Sequence, residues 1–329
     1  MTTMTFARRA YAGDTDLPAI TALLNLVDAA DTLDDNYSVE ELRNEFSDPH
    51  LDPARDIYLW HDADDQLIAF SEVSMRMSDE GQPLLDGFLY MRIHPEHRDV
   101  ALEDAIMAWA EARLDEAGRE RGCAVALRSG GPQHYAYHFG ILERHGFERV
   151  RYYLRMVRDL NEPLPELKLP EGYTLRTVES AEDEERWVAA YNLSFIDHYN
   201  HHPRTIESHR HLLQEPSYAH ERDLIAVAPD GSIAAFSFCW IDPNNNARNN
   251  RQDGWVSMLG VARGHRKIGL GKVLLLAGLH RLKADGMTQA KLGVDAENPN
   301  GALQLYESAG FVRDETWVQW LKNTGDNHA

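Results

Sequence analysis

Apolar and polar positions along the chain follow one plan, and they follow it twice. Near the start, Asp56-Ile57-Tyr58-Leu59-Trp60 is separated by a polar turn from Leu67-Ile68-Ala69-Phe70-Ser71. Later, Asp223-Leu224-Ile225-Ala226-Val227 is separated by Pro229-Asp230-Gly231 from Ile233-Ala234-Ala235-Phe236-Ser237. Apolar runs flanking a turn predict a β-hairpin in each place. After His97-Arg98, residues Leu102, Ile106, Trp109, Ala110 and Leu114 recur at helical spacing. After His265-Arg266, Leu275, Leu276, Leu279 and Leu282 do the same, so each hairpin is followed by an amphipathic helix. Gly146-Phe147 before Tyr152-Tyr153-Leu154, and Gly310-Phe311 before Trp317-Val318-Gln319-Trp320, close the two series with an aromatic strand. Landmarks in the same order at a nearly constant offset are the mark of an internal duplication.

Between the copies, residues 162–170 carry three prolines in nine positions, which predicts an extended linker. Each copy opens with a short strand, at 5–9 and 173–177, and then a helix with an acid near its start, Asp14 or Glu182. The expected division is a first domain over 1–160, a linker over 161–172 and a second domain over 173–329. The element order makes each domain α+β, with a mixed, mostly antiparallel sheet flanked by helices.

Charge and cysteine content narrow the function. With 53 acidic against 33 basic side chains the formal net charge is -20, which excludes a phosphate-tracking nucleic-acid binder and leans toward an amine-bearing partner. A well-solvated surface accounts for the same charge. Cys123 and Cys239 fall in different halves, so neither a disulfide framework nor a cysteine zinc site is expected. No basic segment followed by an apolar run opens the chain, and no apolar stretch approaches membrane-spanning length, so a cytoplasmic, non-membrane protein is expected.

The most informative segment is Trp255-Val256-Ser257-Met258-Leu259-Gly260-Val261, then a short basic loop ending Arg266-Lys267-Ile268-Gly269-Leu270-Gly271-Lys272. A strand running through a two-glycine turn into a helix presents backbone N–H groups to an anion. The pattern departs from a Walker loop, because Val273 follows Gly271-Lys272, and from a dinucleotide fingerprint, because only two glycines are placed. Alone, it reads equally as a plain helix N-terminus.

The stretch from Arg266 to Gly271 resembles the Gln/Arg-x-x-Gly-x-Gly/Ala signature of the GNAT superfamily of N-acetyltransferases. Leu292-Gly293-Val294-Asp295-Ala296-Glu297-Asn298, followed by Leu305-Tyr306-Glu307-Ser308-Ala309-Gly310-Phe311, resembles its second signature, and the likeness covers residues 173–320. The tandem arrangement is similar to that of mycothiol synthase and its relatives. The resemblance implies two tandem GNAT-fold domains and acetyl-CoA as cosubstrate. Main-chain groups of Leu259, Gly260 and Val261 would hold the pantetheine arm. The turn formed by Arg266, Lys267, Ile268, Gly269, Leu270, Gly271 and Lys272 would hold the pyrophosphate. Asn298 would bond the pantetheine, Tyr306 would stand beside the sulfur, and the cofactor would enter where the central strand splays from the strand at 289–294.

Acetyl transfer needs a neutral amine, an oxyanion donor and a proton for the departing thiolate. A main-chain N–H near Leu259 suits the second role and the Tyr306 hydroxyl the third. By residue type alone Tyr306 reads as a core aromatic, and Asn298-Pro299 as the first residues of the last helix. Many relatives place a glutamate on the central strand, but residues 255–258 carry no carboxylate, and Ser257 can only orient a water. His198 or Asp197, in the expected acceptor-side loop, is the candidate base, with a polar loop as the plainer reading. His198 and His202 have the spacing of a helical metal pair, but Pro203 interrupts it and no metal is expected. The asparagines from 244 to 250 read as a mobile hairpin tip.

In the first copy the cradle reads Arg98-Asp99-Val100-Ala101-Leu102-Glu103, and Leu142 stands against Tyr306. Both glycines are gone and two carboxylates stand where phosphates would lie, so this copy is expected not to bind acetyl-CoA. The expected function is transfer of the acetyl group to a small primary amine in the second domain. A protein acceptor is the lesser expectation and a non-catalytic acyl-CoA sensor the alternative.

Overall fold

A computed structural model describes residues 5–78, 83–298 and 300–323. In chain order the first half contains β1 (Phe6–Ala10), α1 (Leu17–Asp31), α2 (Val39–Glu45), α3 (Pro53–Asp56), β2 (Ile57–Asp62), β3 (Leu67–Ser78), β4 (Leu84–Ile93), α4 (Val100–Arg121), β5 (Ala124–Pro132), α5 (Ala136–Arg144) and β6 (Glu148–Asp159). The second half repeats the series as β7 (Thr174–Thr177), α6 (Ala181–Phe195), α7 (Ile206–Leu212), β8 (Asp223–Val227), β9 (Ile233–Trp240), α8 (Pro243–Arg248), β10 (Asp253–Val261), α9 (Leu270–Ala284), β11 (Gln289–Asp295), α10 (Ala302–Ser308) and β12 (Val312–Asn323). The α+β reading of each copy holds, with β4–β5 and β10–β11 the parallel pairs among otherwise antiparallel strand pairs of known register.

Side-chain chemistry repeats along with the elements. Arg9 forks onto Asp16 at 2.8 and 2.6 Å, and the Asp16 carboxylate also accepts from the N–H of Ala12. Arg176 forks onto Asp183 at 2.6 and 2.7 Å, and that carboxylate accepts from the N–H of Glu179. Each pair ties the first strand of its copy to the start of the first helix, a bidentate geometry that fixes direction as well as distance. The helix acids expected at Asp14 and Glu182 are bystanders: Asp14 pairs with Arg43, and Ser180 caps α6 by accepting from the N–H of Asp183.

The compact units follow the duplication with one exchange. Unit 1 is Met1–Arg151 with Trp317–Ala329, and unit 2 is Tyr152–Thr316. Strand order in unit 1 is β1-β2-β3-β4-β5-β12, with Trp317–Asn323 antiparallel to β5. In unit 2 it is β6-β11-β10-β9-β8-β7, with β6 antiparallel to β11 along all of Gln289–Asp295. The closing strand of each sheet therefore comes from the other half of the chain. A boundary at 160–173 follows the repeat in sequence, whereas the units are cut at 151 and 316. Val318 and Trp320 fill the core of unit 1 against Phe139 and Ile141, while Met156 and Leu160 fill that of unit 2 against Leu279, Leu292 and Phe311. Burying such side chains stabilises by roughly 2 kcal/mol each, which anchors the exchange.

The proline-rich segment forms neither helix nor strand, and it is packed. The carbonyl of Glu162 accepts from Lys283 Nζ and that of Pro165 lies 2.9 Å from His280 Nε2, both on α9. Leu164 and Leu169 join the unit 2 core clusters. Among the described residues no helix is long and apolar enough to cross a membrane.

Candidate active site

Strand β10 determines the geometry of unit 2. It pairs in parallel with β11 only from Asp253 to Trp255, against Gln289 to Lys291, while its ladder with β9 continues to Val261. Beyond Trp255 the two parallel strands have parted. The β9 ladder carries a bulge between Val256 and Met258, so Ser257 is the extra residue and stands exposed. A bulge bends its strand and adds twist, which turns β10 away from β11. The amide of Ala262 donates to Ala234 at 2.9 Å on β9. Main-chain direction alternates along an antiparallel ladder, so Leu259 and Val261 turn their N–H and C=O groups to the opened side.

The strand leads into the two-glycine turn. Lys267 and Gly269 both adopt left-handed backbone, at φ 66° and 93°. Gly269 is the N-cap of α9, makes no side-chain cap, and has open space where a Cβ would sit. The first amides of the helix thus face outward, a ready anion site. Gly271 lies against Val261 and Leu305 at ordinary contact distance, so only a ligand approaching the main chain would require its bareness. Lys267, Ile268 and Lys272 are exposed around the turn, and Leu270 is buried beneath it. Gly260 serves packing: a side chain there would collide with the Phe236 ring.

Arg266 is committed to the fold. Its guanidinium donates to the carbonyls of Val261 at 3.2 Å and Ser194 at 2.9 Å, and to Asp197 at 3.0 Å and Asn300 at 3.3 Å. Arg263 also pairs with Asp197. These two arginines, Arg266 first, hold the Asp197 carboxyl below the usual carboxylate range, which makes it a weak base. Asp197 is therefore a strut between the loop after α6 and the cradle. His198 is half-buried beside Phe195, and burial lowers its pKa while Asp295 opposes the shift, which favours a neutral imidazole. Residues 196–204 are not helical, so His198 and His202 do not share a helix face. Among the described residues no group of three His, Cys, Asp or Glu side chains is placed to hold a metal. His209 is sealed in the core, stacked on Trp187 at 4.5 Å, with its pKa pushed down to about 4 by burial.

Tyr306 is 8% exposed, on α10, in the cluster that also holds Leu259, Leu292 and Val294 from the two diverging strands. Both readings of this tyrosine meet in one place, since it is a core aromatic set at the parting of β10 and β11. Burial alone raises its pKa to about 12, so it keeps its proton at neutral pH. Asn298 does not begin the last helix, whose N-cap is Gly301; its side-chain oxygen accepts from the N–H of Asn300 at 2.8 Å. Pro299 lies outside the described residues. The asparagine-rich segment is the short helix α8, where Asn246 exchanges two hydrogen bonds with the Asp253 main chain, so it is no mobile tip.

Sequence reasoning missed a further group, on the face of the sheet away from α9. Residues in register share a face, so Trp255, Lys291, Gly293, Asp295 and Arg155 lie together. Lys291 Nζ pairs with Asp253 at 2.6 Å, with both side chains buried. Arg155 lies over Trp255, 5.2 Å from the ring centre, and its Nη1 pairs with Glu315 at 3.1 Å. One signal was available, since a glycine inside a strand often marks close approach of a ligand.

Residues 184–311 match the sequence profile of the Acetyltransferase (GNAT) family. The mycothiol acetyltransferase of Thermomonospora curvata is 32% identical over 277 residues, covering 75% of this chain and 90% of that protein. That of Segniliparus rotundus is 30% identical over 242 residues, covering 73% and 87%. Among solved structures, a GCN5-related N-acetyltransferase from Sphaerobacter thermophilus superposes with a TM-score of 0.72 at 25% identity, covering 98% of this chain and 97% of that one. A tandem GNAT protein from the clavulanic acid biosynthesis pathway gives 0.70 at 18% identity, covering 98% and 100%.

Proposed function

The chain belongs to the GNAT acetyltransferase family, and we propose that its second unit transfers the acetyl group of acetyl-CoA directly to a primary amine of a small molecule. The observation that carries this reading is the parting of β10 from β11 above Trp255, which ends at the uncapped N-terminus of α9. An elongated ligand with an anionic middle fits that path. Outward amides around Gly269 meet the pyrophosphate, and the inward-turned main chain of Leu259 and Val261 meets the pantetheine amides. Lys267 and Lys272 supply positive charge at the mouth, while Arg266 shapes the loop. When bound, acetyl-CoA supplies an activated carbonyl and a thiolate leaving group.

The chain's own groups do the rest. The N–H of Leu259 polarises the carbonyl oxygen, a contribution of about 3 kcal/mol in such sites. Tyr306, kept protonated by burial, delivers its proton to the departing sulfur. His198, held neutral, takes the proton of the incoming ammonium through water, and Ser257 orients that water at the bulge. The relatives named for mycothiol acetylation support a small, polar amine acceptor. A cytoplasmic reaction belongs to the same proposal, since acetyl-CoA is available to an enzyme there.

Thiol release from acetyl-CoA over a panel of primary amines tests the reading, comparing wild type with Tyr306→Phe. Turnover that collapses in the variant while acetyl-CoA still binds supports it. Equal turnover in both proteins contradicts the role of Tyr306, and turnover with no amine contradicts the acceptor class.

A further inference from the structure

The duplication sets a groove that is filled in unit 2 against one that stands open in unit 1. In unit 2 the linker before β7 packs on α9, where His280 and Lys283 meet the carbonyls of Pro165 and Glu162. Its Leu169 joins the apolar cluster that holds Leu175 of β7 and Leu224 of β8 beside α9. Each of these positions has a counterpart. Counted from the two cradle segments, His280 answers to Ala112 on α4. Counted from the matched forks of Arg9 and Arg176, Leu175 answers to Arg8. Across the ladders Leu224 answers to Tyr58, and both face the long helix of their copy.

In unit 1 these counterparts line a hollow of about 570 Å³ between α3, α4 and the β1–β2 edge. The rings of Tyr58 and Trp109 lie in it 5.0 Å apart, and Ala112 is too small to fill it. Four arginines also line it. Arg113 pairs with Asp56 at 2.8 Å, and Arg55 pairs with Glu120 at 2.6 Å, contacts that fix α3 against α4. Glu116, the carboxylate in the lining, is shared by Arg55 and Arg113. Arg8 and Arg119 pair with no carboxylate among the described residues. Arg8 instead lies over the Tyr58 ring, 5.4 Å from its centre. Two uncommitted guanidiniums beside aromatic rings, on a chain of net charge -20, mark the groove for an anionic guest.

We propose that this groove docks an acidic, proline-bearing peptide segment of a partner protein, as unit 2 docks its own linker. The linker is the precedent for the shape, an irregular segment lying on the long helix with a leucine turned toward the edge strands. The exchange of Leu175 for Arg8 and of Leu224 for Tyr58 supplies the new chemistry. Arg8 and Arg119 take peptide carboxylates by charge-assisted hydrogen bonds, and the half-buried Tyr58 ring covers a proline. Proline stiffens the free segment, so less freedom is lost on docking. The site lies within unit 1 and does not depend on acetyl transfer in unit 2.

Calorimetric titration of the full chain with an end-blocked peptide of the linker sequence, residues 162–167, tests it. That peptide carries both glutamates and two of the prolines. Wild type should bind it saturably, and the affinity should fall as salt rises. The same peptide with glutamine for both glutamates should bind about tenfold more weakly, and Arg8→Glu with Arg119→Glu should cost the acidic peptide at least as much. Ala112→Trp should abolish binding by filling the floor. All three positions are exposed, so urea midpoints should match wild type. No saturable binding to wild type, or binding that the arginine variant leaves unchanged, overturns the site. A thymidylate oligonucleotide that binds more tightly than the peptide, or inorganic phosphate that displaces it at equal concentration, overturns the choice of a peptide partner.

Discussion

Strands β4 and β10 occupy the same place in the two copies, and both part from their parallel neighbour, yet only one leaves room. In unit 1 the β4–β5 ladder ends at Phe88 and Arg128, so β4 also runs free beyond it. That gap is filled from within. Ser129 Oγ donates to the carbonyl of Leu89 at 2.9 Å and lies 2.9 Å from His138 Nε2. Arg92, which stands where Gly260 stands in β10, donates to the carbonyl of Met91 and packs over Tyr90 at 4.1 Å. Two carbonyls along β4 are thus taken by side chains, whereas along β10 Arg266 takes the carbonyl of Val261 and the main chain of Leu259 is left for the proposed ligand. At the helix start, the Asp99 carboxylate accepts from the N–H of Ala101 at 2.8 Å, occupying the anion position that Gly269 leaves open. Glu103, buried, is bound by Tyr137 at 2.7 Å and by Arg144. On the proposed reading a parted pair of strands is therefore not enough for a binding site; an open helix start and a less occupied strand are what distinguish the second copy.

The largest expected effect that would sharpen this contrast is at Tyr306, whose counterpart Leu142 has no proton to give. Tyr306→Phe should lower kcat about 10²–10³-fold, the usual range for a lost general acid, with acetyl-CoA affinity almost unchanged. Steady-state thiol release with calorimetry reads both.

Next comes an aspartate that the copies share and treat differently. Asp56 is buried against Arg113 at 2.8 Å, whereas Asp223, equally buried, accepts from Trp187 Nε1 at 3.0 Å and pairs with no cation among the described residues. Asp56→Asn should destabilise by about 3 kcal/mol, because it leaves the buried arginine only the more exposed Glu116 as a partner. Burial raises the pKa of both carboxyls, but Arg113 opposes the shift at Asp56, whereas that of Asp223 goes up to about 7. A raised carboxyl pKa contributes stability fully present below the unfolded value near 4 and lost as pH rises through 7. Asp223→Asn keeps an acceptor for Trp187 and removes that loss. It should raise stability by about 1–2 kcal/mol at pH 8 and by less at pH 5, read from urea unfolding at the two values. Equal behaviour of the two variants would break the comparison.

A smaller effect is expected from copying unit 1 into unit 2. Gly271→Glu, the counterpart of Glu103, should weaken acetyl-CoA binding about tenfold through like-charge contact with the phosphates. The reverse exchange, Asp99→Gly with Glu103→Gly, should create no new site by calorimetry, because Ser129 and Arg92 still fill the gap.

Much of this was legible in the chain. The 3.6- and 2-residue periodicities give the elements, and the glycines at 269 and 271 mark the cradle because left-handed backbone at Gly269 needs that residue type. Leu259 and Val261 follow from their place before the turn. The exchange of closing strands was not legible, since an aromatic strand after Gly-Phe suits either sheet equally. Asp197 misled because residue type cannot show that two distant arginines converge on it. Arg266 misled for the same reason, its charge being spent on the loop. Glu315 and Arg155 escaped notice because they lie 160 positions apart in sequence and meet only through the exchange.

Calorimetric titration of the full chain with acetyl-CoA tests the central contrast most directly. One molecule bound per chain, with binding weakened by Gly271→Glu, is the predicted result. Two molecules per chain, or one that ignores that substitution, would contradict the account.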